Sequence, residues 1–125
     1  MGKKNPWENV EVVSRYGRAE AIYDGVLEDI TEIARKEDFL YPVAMTSESY
    51  GLIEDIPDGD PRSVKQRTHI VLNALRLAVR GMPRNARNIL FNVSFGEGKG
   101  TMLKAVCGPG DFGESVITIM YPYED

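Results

Sequence analysis

With 125 residues, 42% of them hydrophobic and 27% charged, the chain has the size and composition of one soluble globular domain that folds without a staple, and it shows neither low complexity nor an internal repeat. A single cysteine rules out an internal disulfide or a Cys-based metal site, and no apolar run approaches a membrane span, so the expected setting is the cytoplasm with no membrane partner. The net charge of −4 argues against a general nucleic-acid binder, yet acids dominate from Glu8 to Asp60, whereas Arg62 to Gly96 holds no Asp or Glu and carries seven cations, Arg62, Lys65, Arg67, Arg76, Arg80, Arg84 and Arg87.

The first dozen residues, with Pro6 and scattered charge, read as a tail ending in a short extended piece at Val10 to Val13. Tyr16 to Asp24 makes a short helix, closed by Gly25 in the left-handed conformation, and Val26, Leu27 and Ile30 suggest a brief strand. Thr31 is placed as the N-cap of a helix to about Lys36, with Glu32 in the first turn and Arg35 and Lys36 in the last, as the helix dipole favours. Phe39 to Met45 is extended, because Pro42 pushes Tyr41 out of helical geometry, and Thr46 starts another short helix through Ile53.

The PDGDP stretch at 57–61 is the strongest break. Asp60 as cap and Pro61 as first helical residue open a helix over 61–80, stopped by Gly81 and Pro83. Val64, Thr68, Val71, Leu72, Leu75, Ala78 and Val79 fall on one side of it, and Ile70, Ala74 and Leu77 widen that arc enough to predict packing on more than one side. Arg67 falls on the apolar side, where it must reach out along its stem or pair with an acid from the first half. Three strands follow. Residues 89–95 put Ile89, Phe91, Val93 and Phe95 on one face; 101–107 put Leu103, Ala105 and Cys107 opposite Lys104; 115–121 put Ile117, Ile119 and Tyr121 opposite Thr118. Their short glycine-containing connections predict an antiparallel meander.

The last of those connections, within AVCGPGDFGESV, is where an active site would be sought first. A nucleophilic Cys107 assisted by Asp111 or Glu114, or an anion-binding nest of backbone N–H groups, is the functional reading. Flanking strands favour a hairpin corner instead, because a phosphate loop opens into a helix, and Cys107 ends a strand on its apolar side, where thiols are buried and inert. If the loop acts at all, its tip recognises something through Asp111, Phe112 and Glu114. GEGKG at 96–100 lacks the phosphate-loop pattern and reads as a turn. His69 is the only histidine, with Asn73 at i+4, so no metal site, no cofactor and no catalytic constellation is predicted.

The candidate binding feature is a basic stripe: Arg62, Lys65, His69, Asn73, Arg76 and Arg80 on the polar helix face, extended by Arg84 and Arg87. Three fates are open to it: neutralisation by the acidic half, contact with an acidic protein, or contact with nucleic-acid phosphates.

The blocks YGRAEAIYDGVLEDITEIAR, FLYPVAMT and LKAVCGPGDFGESVITIMYPYED cover the chain from about Tyr16 to its end. They resemble a family of short proteins carried on bacterial plasmids and conjugative elements, domain of unknown function 6573. The stretch from about Ser47 to Asn88 departs from the family pattern, which makes the basic stripe a property of this member. The resemblance implies a small cytoplasmic accessory protein of a mobile element and carries over no catalytic residue.

The chain is therefore expected to have a partly flexible tail over 1–13 and a single α+β domain over 14–125. In it a C-terminal three-stranded antiparallel meander, with room for one or two added short strands, packs against a long amphipathic helix and two or three short N-terminal helices. The leading functional expectation is a non-enzymatic interaction protein that binds a protein partner through segregated acidic and basic surfaces. A nucleic-acid-binding accessory factor using the basic face of helix 61–80 comes second, and an uncharacterised enzyme last.

Overall fold

The structure, a computed structural model, describes residues 16–96 and 98–124; the expected tail and its extended piece at Val10 to Val13 lie outside the described residues. Helix α1 (Arg18–Tyr23) leads into strand β1 (Leu27–Asp29), α2 (Thr31–Lys36), β2 (Val43–Thr46), α3 (Ser47–Glu54) and α4 (Val64–Val79). Strands β3 (Asn88–Val93), β4 (Thr101–Pro109) and β5 (Ser115–Met120) complete a mixed α+β fold with a five-stranded sheet of order β1-β2-β5-β4-β3.

Three of the four pairings are antiparallel, and one departs from expectation: β2 runs parallel to β5, with Val43 opposite Ile117 and Met45 opposite Ile119. Its sequence explains the position. Val43, Ala44 and Met45 are all fully buried, so β2 is apolar on both faces and belongs between neighbours, not on an edge. On the inner face of the sheet Val43, Met45, Phe91, Val93, Leu103, Ala105 and Ile119 join Ala34 of α2, Ile53 of α3 and Val71, Leu72 and Leu75 of α4 in one core. The alternation read in 89–95 and 101–107 thus faces α4 as expected. Helix α1 packs beside β1, and its Arg18 side chain reaches β5 on the outer face, where the guanidinium donates to Thr118 Oγ1 at 2.7 Å and to the Ile117 carbonyl at 2.8 Å.

Local signals set most element ends. Gly25 closes α1 at φ +80°, a conformation an L side chain rarely adopts. Thr46 caps α3, its hydroxyl accepting from the Ser49 N–H. Two expected caps are corrected. Ile30, not Thr31, occupies the N-cap of α2, because the Thr31 hydroxyl and N–H both bond Asp29 Oδ1 and so tie β1 to the helix. Helix α4 begins at Val64, not Pro61, with Ser63 as its cap: the Ser63 hydroxyl accepts from the Gln66 N–H, and Gln66 Oε1 accepts from the Ser63 N–H. This reciprocal box satisfies two orphan donors at once and outcompetes a lone aspartate cap. The wide apolar arc of α4 packs on more than one side, against β3 and against α2 and α3, and only Leu77 and Val79 near its end are left 55% and 47% exposed.

Candidate functional site

Released from capping, Asp60 becomes the hub of a cation cluster. Its carboxylate accepts from Arg62 Nε at 2.9 Å and from Arg67 Nη1 at 2.7 Å. Arg67 is 3% exposed, so its remaining donors need partners, and they find the carbonyls of Leu52 and Ile53 at 2.8 and 3.3 Å. The guanidinium also lies 3.9 Å from the centroid of the Phe95 ring, within cation–π range. Hydrogen bonds from the Arg62 side chain and backbone hold the Asp60 carboxyl below its ordinary range. The expected pairing of Arg67 with an acid of the first half is present, and Arg62, a member of the basic stripe, is committed to the same cluster.

The middle of the stripe is neutralised as well. Glu37, just past the C-terminus of α2, reaches His69 Nδ1 at 2.6 Å with one carboxylate oxygen and Arg76 Nη1 at 3.5 Å with the other. Arg76 also donates to Asn73 Oδ1 at 2.6 Å. Lys65, Arg80, Arg84 and Arg87 are exposed, with no ion pair among the described residues. The eight stripe residues are thus divided: Arg62 held by Asp60, an engaged centre of His69, Asn73 and Arg76, the isolated Lys65 near the start of α4, and three arginines beyond its end.

Those arginines stand where the sheet outruns the helix. Helix α4 stops at Val79, whereas the inner face continues through Ile89, Ala105, Cys107 and Ile117, and the uncovered step forms a cleft of about 590 Å³. Arg84 and Arg87 line it, together with Tyr41, Met82 and the half-buried Cys107. The Cys107 N–H donates to the Arg87 carbonyl at 2.7 Å, which fixes the segment after α4 against β4. Cys107 therefore keeps the predicted face but borders a cleft instead of a closed core. Sequence reasoning did not assemble this site. Its signal was the exposed-range arc at Leu77 and Val79 combined with Gly81 and Pro83, which end the helix while apolar strand residues still need cover.

The hairpin loop is engaged in a way its sequence does not announce. Asp111 reaches α1 and accepts from the Arg18 N–H at 2.6 Å and the Ala19 N–H at 3.0 Å, serving as the cap that Gly17 cannot supply. Glu114 turns back on the loop and accepts from the Phe112 N–H at 2.9 Å. A Cβ at Gly110 would lie 2.6 Å from the Glu114 carboxylate, so a larger residue there would require the Glu114 side chain to swing away from the loop. Only Phe112 of the expected tip projects freely, 94% exposed. A second hollow, about 310 Å³ on the outer face, is bordered by Arg18, whose pKa burial lowers and whose guanidinium is already spent on β5. Among the described residues no group of three or more His, Cys, Asp or Glu side chains could hold a metal, and no helix is long and apolar enough to cross a membrane.

A family model described as a family of unknown function (DUF6573) matches residues 3–125. No curated protein and no solved structure matches the chain.

Proposed function

Since the chain belongs to this family of unknown function, whose description assigns no activity, we propose from the site alone that it is a non-enzymatic accessory protein that binds a protein partner through its segregated charges. The setting we propose is a bacterial plasmid or conjugative element and the cytoplasm. One observation carries the reading: Glu37 and Asp60 neutralise the centre and flank of the basic stripe, while Arg80, Arg84 and Arg87 keep their charge unpaired among the described residues, Arg84 and Arg87 at the lining of a largely apolar cleft. Unpaired cations around apolar surface are what a protein interface uses to steer and orient an acidic partner. The non-enzymatic part is supported by the acids nearest Cys107 in sequence: Asp111 is occupied with the start of α1, and Glu114 with its own loop.

A nucleic-acid reading competes, because the same arginines suit phosphates. It is weakened by the division of the stripe, which removes the continuous run of cations along α4 that a phosphate backbone would follow. Binding to poly-L-glutamate, duplex DNA and single-stranded DNA across a salt series decides between them, on the native protein and with Arg80, Arg84 and Arg87 changed to Glu. The proposal expects salt-sensitive binding to the acidic polypeptide that the triple variant loses. Preference for either DNA, with a steep salt dependence, would transfer the function to nucleic acid.

A further inference from the structure

We infer that the cleft beyond α4 receives an apolar anchor side chain carried on an acidic segment of the partner protein. This rests on the protein-binding reading above and gives it a docking point. The cleft has a local cause in the strand register. Ala105 lies between Ile89 on β3 and Ile119 on β5, so a small side chain sits in a row of large ones and the inner face dips there. One turn before the end of α4, Leu75 is 1% exposed and the sheet is covered; at Val79 the helix wall is half open. The resulting volume of about 590 Å³ falls within the range of pockets that enclose a small ligand and exceeds what one or two large side chains need.

Chemistry then selects the occupant. Val79, Ile89, Ala105 and Ile117 offer no side-chain donor or acceptor, so the part of the cleft they form suits a leucine or phenylalanine side chain, which loses only water there, while Tyr41, Asn85, Asn88 and Ser115 supply the uncharged polar groups of the lining. Of the described residues lining the cleft, only Arg84 and Arg87 carry charge, and both are positive. A basic segment would be repelled at the mouth, while carboxylates flanking an apolar residue would meet a guanidinium as that residue enters.

The test uses a fluorescently labelled peptide with one leucine between runs of glutamate, compared with a version carrying serine for the leucine and a version carrying glutamine for every glutamate. The unaltered protein should bind the serine peptide roughly tenfold or more weakly than the leucine peptide, as expected for losing one buried side chain. It should bind the glutamine peptide weakly and with little salt dependence. Val79→Asp, with its far-UV circular dichroism checked, should reproduce the loss, and Lys65→Glu, a larger shift toward negative charge at the other end of α4, should not. Equal affinity for the leucine and serine peptides overturns the anchor and leaves the charge-based reading standing. Failure of every acidic peptide and of poly-L-glutamate sinks both. Tighter binding of oligothymidylate than of the leucine peptide, or a dimer of the chain that Val79→Asp dissociates, overturns the inference by giving the cleft to a nucleic acid or to a second copy.

Discussion

At the N-terminal end of α4, Arg62 and Arg67 share Asp60 beside the Phe95 ring, whereas beyond its C-terminal end Arg80, Arg84 and Arg87 have no acid partner among the described residues. The difference follows from burial. Arg67 projects into the packed side of the helix, where an unpaired charge is too costly to keep, so the fold supplies a carboxylate, two carbonyls and an aromatic face. The three arginines lie in water, where solvation replaces partners. Cations that read alike in the sequence therefore have different work: those at one end hold the fold, and those at the other are available to a ligand.

Removing a cation from the buried end is the strongest way to break this contrast. Arg67→Ala should destabilise the protein by roughly 3 kcal/mol in urea unfolding, because the Leu52 and Ile53 carbonyls lose their buried donor. Asp60→Asn should also destabilise, and its effect depends on pH. The folded-state pKa of Asp60 lies below its unfolded value, so the unfolded chain takes up the proton first as pH falls. Its stabilisation is whole above the ordinary carboxylate range, declines through that range and is gone below the lower folded value. Denaturation midpoints of native and Asp60→Asn protein should therefore differ at neutral pH and converge in acid. A constant gap throughout would mean that Asp60 acts by shape and not by charge.

How far the sequence reveals this depends on how local the signal is. Thr46 capping α3, Gly25 closing α1, and the inward alternation of Phe91, Val93 and Leu103 are all legible, because each depends on neighbours within a turn or along one strand. The parallel pairing of β2 with β5 is not, since nothing in FLYPVAMT states which strand will lie beside it; only the continuous burial of Val43 to Met45 explains it afterwards. Asp60 misleads for a related reason. Before Pro61 it has the form of a cap, but two arginines, at 62 and 67, compete for it, and Ser63 with Gln66 forms the better box. The division of the stripe rests on Glu37, more than thirty residues before the arginine it meets, and the cleft on where α4 ends relative to the sheet.

Asp111 offers a smaller effect that sharpens the same distinction for acids. It looks like an exposed loop tip, yet it caps α1 across the fold, so Asp111→Ala should destabilise by about 1 kcal/mol, the usual loss of an N-cap. Glu48 provides a further contrast by spectroscopy: its hydrogen bond with Tyr123 pushes the phenol pKa up to about 12, and Glu48→Gln should bring the Tyr123 ultraviolet titration back toward an ordinary tyrosine. The sign is opposite to that of Asp60. A raised phenol pKa contributes stability at neutral pH that disappears as pH rises toward 12.

The smallest stability effect is expected where the largest binding effect is. Arg84 and Arg87 make no ion pair among the described residues, and their side chains are exposed, so no native interaction is lost when both become Glu. Two acids would instead enter a stretch that holds none from residue 62 to 96, which relieves repulsion with Arg80. Stability should stay within about 0.5 kcal/mol of native, the range of ordinary surface changes. Acidic-peptide binding should be lost in the same protein. If Arg84→Glu with Arg87→Glu instead unfolds the chain as Arg67→Ala is expected to, the two ends of α4 do the same work, and the arginines beyond it belong to the fold.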